Sequence, residues 1–368
     1  MSEDVLASRN LLLQKRCFIP DQALTILGAG EVFRAKIEPC LNKLGVSHYN
    51  IYEPKVMGNS PLGDFQLQGP VFVLSPNVFH LSQTEYALRK GHPCYVEKPI
   101  VISTAELDQL LEVVKNIAMP LYCGDYYFFK ALPLLLRYGH FLQYGELVKQ
   151  SGDYDHCGSA VSAVEAVLLE GGGEPSGSIA HRAWLGDVRA GGGMLLDLMI
   201  HLTNILNMLG LRLETVSHAA LKRFDTQSWR YEPIDGGSIA EDYAEASGVL
   251  AGNIPVTLRA GKYSAAHERY IRLHHQDGCI TTLYFTEKNF VQTVDRRTKI
   301  LWQSELLIDP YLVAMHDALA FFHDSSMKKD IGMARFLEEQ ALSIRQVDLM
   351  KKIALECAEP ASMSNCHA

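Results

Sequence analysis

Between residues 23 and 123 the sequence alternates short apolar runs with helical patterns, and every apolar run ends on glycine or on polar residues. Residues 23–27 lead into Gly28-Ala29-Gly30, 47–52 into Glu53-Pro54, and 71–74 into Ser75-Pro76-Asn77. Residues 94–96 lead into Glu97-Lys98-Pro99, and 120–123 into Gly124. Between them lie helical patterns over about 31–44, stopped by Gly45, and about 80–90, stopped by Gly91. A capping box, Ser103-x-x-Glu106, opens a third helix to about Lys115. Strands that alternate with helices predict a parallel, doubly wound sheet. Ligands of such sheets bind beyond the carboxyl ends of the strands, which is where Gly28, Glu53, Ser75, Glu97 and Gly124 fall.

The first turn has a phosphate-binding logic. Gly28 permits a tight turn, Gly30 lets backbone amides approach a pyrophosphate, and the helix opened by Glu31 and Val32 favours the anion at its N-terminus. Glu53, at the tip of the second strand, can accept hydrogen bonds from a ribose diol and would repel a 2′-phosphate. That favours NAD, while Lys55 two residues on keeps NADP open. The third position of the glycine fingerprint is Phe33, where a small residue normally lets helix and strand pack closely.

After residue 124 the pattern changes. Asp125-Tyr126-Tyr127-Phe128 leads into a predicted helix ending near Gly145, followed by a strand at 161–169 and a glycine-rich loop at 171–177. Gly191-Gly192-Gly193 then precedes a helix to about Leu209 that carries Asp197 and His201, four residues apart and so on one face. Their neighbours are Met194, Leu195, Leu196, Leu198, Ile200 and Leu202, and polar groups on so apolar a helix are costly unless they line a site. Strand patterns at 216–221, 244–250, 254–259, 270–274, 279–285 and 290–293 predict a mostly antiparallel sheet, with helices at 311–322 and 333–352 closing the chain. The expected fold class is α/β: a Rossmann-type dinucleotide-binding domain over 1–123, then an α+β domain with a large, mostly antiparallel open sheet over 124–360. A small polar tail, 361–368, is expected to be disordered.

The bulk numbers narrow the function. A formal net charge of −8 disfavours nucleic acid and anionic membranes as partners. No apolar run approaches the roughly 18 residues of a membrane span. The first twenty residues carry Glu3, Asp4, Arg9, Lys15 and Arg16, which is unlike a secretory signal. The 8 cysteines include no Cys-x-x-Cys pair, so reduced thiols in the cytoplasm are expected. The pairs His274-His275 and His316/His323 lack Cys or carboxylates at ligand spacing, and no metal is expected.

Gly28-x-Gly30, Ser75-Pro76-Asn77-x-x-His80, Glu97-Lys98-Pro99 and Gly191-Gly192-Gly193-x-x-x-Asp197-x-x-x-His201, in that order, resemble the Gfo/Idh/MocA oxidoreductases. The resemblance runs from about residue 22 to 350. It implies the two-domain architecture described above, NAD or NADP as cofactor, and a sugar, sugar derivative or cyclitol as substrate. It further implies that Lys98 polarises the reacting oxygen and steadies the cofactor, that His201 is the general acid/base, and that Asp197 bonds substrate hydroxyls or orients the histidine. Residues expected to contact the cofactor are Gly28, Gly30, Glu31, Val32, Glu53, Ser75, Pro76, Asn77, His80, Glu97 and Lys98. Arg182 and Trp184 resemble an Arg-x-Trp segment of some sugar-acting members and join Lys98, Asp197 and His201 as expected substrate contacts. Three positions depart from the family pattern: Phe33, Met199 at a usually small site, and Tyr126-Tyr127 where an arginine is common. An NAD-dependent glycosidase and a non-catalytic cofactor sensor are the alternative functions. A homodimer or homotetramer is expected from the open sheet.

Overall fold

The computed structural model describes residues 23–53, 66–152, 159–171, 183–225, 227–228, 230–234, 240–264, 267–286, 288–327 and 334–358. By internal contacts the chain falls into two units. The first joins Met1–Ser151 to Glu287–Phe290 and Ser304–Ile344; the second joins Gly152–Thr286 to Val291–Gln303 and Arg345–Ala368.

The first unit is built on a six-stranded sheet in the order β16-β5-β4-β3-β1-β2. Its strands are β1 (Leu24–Leu27), β2 (Tyr49–Tyr52), β3 (Val71–Val73), β4 (Cys94–Val96), β5 (Leu121–Cys123) and β16 (Ala334–Arg335), and every pairing is parallel. β1 has β2 on one side and β3 on the other, so the strand order reverses beside the first turn, at the topological switch point where such sheets bind ligands. The strands β1, β3, β4 and β5 are wholly buried, as apolar runs between two helical layers must be.

The expected crossover helices are present: α1 (Glu38–Lys43, running on from a π turn at Phe33–Ile37), α2 (His80–Arg89) and α3 (Thr104–Asn116). Ser103 caps α3, its Oγ accepting from the Glu106 amide at 3.2 Å; the return bond from Glu106 reaches the amide of Ile102 rather than that of Ser103. The helix expected over 125–145 is instead a series of short turns. Helical pieces at Tyr127–Lys130 and Leu132–Leu135 give way to a 3₁₀ turn at Leu136–Tyr138, then Gly139 and Phe141 turn left-handed. Two left-handed residues so close together cannot continue a right-handed helix.

The second sheet has ten strands in the order β6-β15-β14-β13-β12-β7-β11-β10-β8-β9. They are β6 (Val148–Gly152), β7 (Val161–Gly171), β8 (Leu213–Asp225), β9 (Arg230–Pro233), β10 (Tyr243–Leu250), β11 (Ile254–Ser264), β12 (Glu268–His275), β13 (Ile280–Tyr284), β14 (Phe290–Val294) and β15 (Ile300–Leu306). β7 and β11 are parallel, whereas β10–β11, β8–β10, β8–β9, β7–β12 and β12–β13 pair antiparallel. β10 alternates buried and half-buried positions along its length, the signature of a sheet with one face in a core. That face is covered by a π turn at Leu195–Met199, which packs on β11, and by α4 (Ile200–Met208), which packs on β7. Strands β6, β9, β15 and β16 were not anticipated. The helices expected at 311–322 and 333–352 are α5 (Pro310–Met327) and α6 (Leu337–Ala358), the latter opening after β16. Among the described residues no helix is long and apolar enough to cross a membrane.

Candidate active site

In the first unit the strand ends are drawn together by the backbone ladder. Gly28 donates to Tyr52 at 2.8 Å, Leu74 to Leu27 at 2.8 Å, Glu97 to Val73 at 3.0 Å and Gly124 to Val96 at 2.7 Å. Gly28 has φ +88°, and a Cβ there would stand 2.5 Å from the Cα of Ser75, so only glycine admits this approach of the first turn to β3. A Cβ on Gly30 would meet nothing within 4 Å. Glu31 and Val32 open the helix, and Glu53 is exposed at the end of β2. Phe33, which replaces the small residue of the fingerprint, is fully buried and meets Tyr49 edge-on at 5.5 Å. It heads the π turn, whose wider winding accommodates a ring where the fingerprint has none.

Ser75, Asn77 and His80 are buried beside this turn. The Ser75 hydroxyl donates to Gln83 at 2.7 Å. The His80 ring lies between two carbonyls, 2.8 Å from that of Ser75 and 2.6 Å from that of Pro99, and so fastens the end of β3 to the segment holding Lys98. Burial pushes the His80 pKa down, against the pull of both carbonyls. Lys98 is half-buried and its peptide to Pro99 is cis. Burial pushes the Glu97 carboxyl up to about 7, opposed by the Lys98 charge and by the Tyr95 hydroxyl that donates to it at 2.8 Å. Tyr126 stacks on Tyr311 at 3.9 Å, and the Lys130 ammonium lies 4.2 Å from the Tyr127 ring centroid, so the tyrosines standing where an arginine was sought are engaged with one another and with neighbouring side chains.

In the second unit the triple glycine launches the Asp197 helix. Gly193, at φ +105°, donates to Leu185 and accepts from the Asp197 amide at 2.9 Å. A Cβ on Gly193 would lie 2.5 Å from Oε2 of Glu241, whose other carboxylate oxygen accepts from the Leu195 amide at 2.8 Å. Glu241 thus caps the helix through space, and burial pushes its pKa up. Asp197 and His201 are both buried. The Asp197 carboxylate takes the Lys262 ammonium at 2.6 Å. Met199, the other departure from a small residue, is completely buried in the π turn.

The structure therefore gathers Gly28, Gly30, Glu31, Val32, Glu53, Ser75, Pro76, Asn77, His80, Glu97 and Lys98 along the strand ends of one unit, and sets Asp197 and His201 on one helix of the other. Arg182 lies outside the described residues, and of Trp184 only the backbone, in a 3₁₀ turn at Ala183–Gly186, is described. Glu241 and Lys262 were missed. Glu241 carries no local signal, since it acts across 46 residues of chain. Lys262 did carry one: it shares the core-facing register of Val256, Leu258 and Ala260, where a charge requires a partner.

No family model and no curated protein matches the chain. Solved structures do. UDP-N-acetylglucosamine 3-dehydrogenase GnnA from Acidithiobacillus ferrooxidans superposes with a TM-score of 0.64 at 16% identity, over 92% of this chain and 99% of that one. An inositol dehydrogenase homolog from Azotobacter vinelandii, complexed with NAD+, gives 0.64 at 14% identity, covering 91% and 96%. The 3-ketoreductase KijD10 from Actinomadura kijaniata, in complex with TDP-benzene and NADP, gives 0.61 at 14%, covering 90% and 97%. At these identities the likeness is one of fold: a parallel, Rossmann-like sheet together with a large, mostly antiparallel one.

Proposed function

We propose that the chain is an NAD(P)-dependent oxidoreductase that moves a hydride between the nicotinamide and a secondary alcohol or ketone of a sugar, sugar derivative or cyclitol. One observation carries this reading. The first turn has the geometry of a dinucleotide cradle, closed by Gly28 against Ser75 and open above Gly30, in a fold whose solved relatives hold NAD+ and NADP. Residues 1–123 would serve the cofactor, and 124–360 the substrate and self-association.

When bound, the nicotinamide supplies the hydride acceptor or donor. In the oxidising direction His201 takes the proton of the alcohol O–H as the carbon–oxygen double bond forms, since imidazole exchanges protons near neutral pH. Lys98 offers its ammonium to the oxygen and lowers the cost of alkoxide charge. Asp197 orients. Ser75, Pro76, Asn77, His80 and Glu97 shape the wall along the cofactor, and Glu53 accepts from a ribose diol, which favours NAD over NADP. Arg182 and Trp184 are proposed substrate contacts. A non-catalytic sensor would be favoured if Phe33 disturbed the first turn, but that ring is buried in the core against Tyr49. The described cysteines are free, which suits a cytoplasmic setting, and the broad sheet of the second unit suits a homodimer or homotetramer.

The test is calorimetric titration with NAD, NADH, NADP and NADPH, followed by a screen of sugars, nucleotide sugars and cyclitols at the nicotinamide absorbance band. Binding of one cofactor pair and turnover of one substrate class are expected. No binding of any of the four would overturn the proposal.

A further inference from the structure

We propose that Lys262 is a positioning residue for this reaction: its ammonium holds the Asp197 carboxylate in place, which commits Asp197 to orientation and leaves His201 to exchange the proton. The inference rests on the function proposed above and goes beyond it by dividing the labour between the two residues of the helix.

Four observations converge on Lys262. Its Nζ lies 2.6 Å from Oδ2 of Asp197, with the two side chains only 11% and 12% exposed. An ion pair so far out of water is too costly to persist unless it is well matched. Next, Lys262 extends the buried row of Val256, Leu258 and Ala260 on the face where the π turn packs, so the strand itself aims the lysine at the helix. Third, the backbone is shaped at this point. The pairing of β11 with β7 slips between Lys262 and Ser264, and Tyr263 takes φ +63°, an unusual value for a tyrosine. Bulges of this kind re-aim a side chain and recur beside active sites. Last, the segment is tied down on both sides. The Lys262 amide donates to Asp242 at 2.9 Å, and its carbonyl accepts from the Tyr231 hydroxyl. Asp242 directly follows Glu241, which caps the same helix from the chain segment before β10, so the start of the Asp197 turn and Asp197 itself are held from one neighbourhood.

The chemistry follows from the pairing. A carboxylate against an ammonium is a poor proton acceptor, because protonating it gives up the charge–charge attraction of the pair. His201, one helical turn on, is then the acceptor of the alcohol proton, while the Lys262–Asp197 pair fixes the polar surface beside it. Without Lys262, Asp197 loses the charge that holds it, and the surface presented to substrate changes.

The experiment is a double-mutant cycle on turnover with Lys262→Met, Asp197→Asn and the two combined, with Lys262→Gln and Lys262→Arg alongside. Lys262→Met is expected to lower kcat by about tenfold to a hundredfold, the range of coupling between residues of one network, with cofactor affinity by calorimetry unchanged. Lys262→Arg should restore most of the rate. In the Asp197→Asn background the loss of Lys262 should cost little more. If Lys262→Met fails to fold, as shown by lost cofactor binding, Lys262→Gln takes its place and is expected to be slowed to the same degree. Wild-type-like kcat in the neutral variants, or losses that multiply in the double variant, overturn the inference while the proposed function stands. A wild-type protein that binds cofactor yet turns over no sugar, nucleotide sugar or cyclitol overturns both.

Discussion

Glu241 reaches the amide of Leu195 across 46 residues of sequence, at 2.8 Å, and closes the N-terminus of the helix that carries Asp197 and His201. The carboxylate sits where Gly193, two residues before Leu195, has no side chain, so capping group and glycine form one device. Removing the acceptor in Glu241→Ala is expected to destabilise the protein by about 1–2 kcal/mol, the scale of a lost N-cap. Glu241→Gln keeps an acceptor oxygen and should lose less than half of that. Chemical denaturation of the two variants checks this, and equal losses would mean that Glu241 acts by volume rather than as a cap.

A second pair, Gly28 and Ser75, decides whether the proposed cofactor turn can form. In Gly28→Ala the new Cβ has both an unfavourable φ of +88° and backbone atoms of Ser75 at 2.5 Å. The left-handed conformation alone costs an alanine about 1–2 kcal/mol, and the first turn must move away from β3 as well. Calorimetry should show cofactor affinity falling more than tenfold, together with a lower melting temperature. Wild-type affinity in this variant would remove the turn from the cofactor site.

Stability should carry the mark of Glu97. Its carboxyl is held up to about 7, against an ordinary 4.5, so the folded state binds a proton that the unfolded state has released across that window. The sign is therefore a loss: stability from this group is full below pH 4.5 and declines as pH rises to about 7. Glu97→Gln cannot release the proton and should flatten that part of the curve. Melting temperatures of both proteins across the window test the assignment, and parallel curves would refute it.

Glu53 tests cofactor choice. It stands exposed at the end of β2, where a carboxylate accepts from an unphosphorylated ribose and repels a phosphorylated one. Glu53→Ala should weaken NAD severalfold and leave NADP unchanged or tighter. An equal effect on both would show that Glu53 does not touch the ribose.

Much of this was legible from residues because it is local. The five strand ends of the first sheet follow from apolar runs broken by glycine, serine and charged residues, and the helix of Asp197 and His201 follows from its apolar periodicity. What escaped is non-local. Residues 304–344 belong to the first unit, and β16 pairs with β5 across about two hundred residues. No pattern at Ala334–Arg335 announces a strand so short, and β6 exposes four of its five residues, so it shows no alternation to read. Phe33 and Met199 break the family pattern for a reason invisible in sequence: each lies in a π turn, where the helix winds wider than a 3.6-residue period assumes. Lys262 was readable in principle, as the one charge continuing a core-facing row, yet its partner 65 residues away was not.

The proposed chemistry stands or falls with Lys98 and His201. Lys98 follows Glu97 at the end of β4, and His201 is buried on α4, so the two need different replacements. Lys98→Ala removes a half-buried ammonium and should leave folding close to wild type. His201→Asn keeps a polar group of similar reach in a tight site and avoids the cavity that alanine would open. Each is expected to lower kcat by about a hundredfold to ten-thousandfold, the usual weight of a general acid/base or of a positioned charge at the reacting oxygen. Cofactor affinity should separate them: Lys98→Ala is expected to weaken it several-fold, because the ammonium also steadies the cofactor, whereas His201→Asn should leave it unchanged. Steady-state kinetics paired with calorimetry reads both effects, and near-wild-type turnover in both variants would move the active site elsewhere.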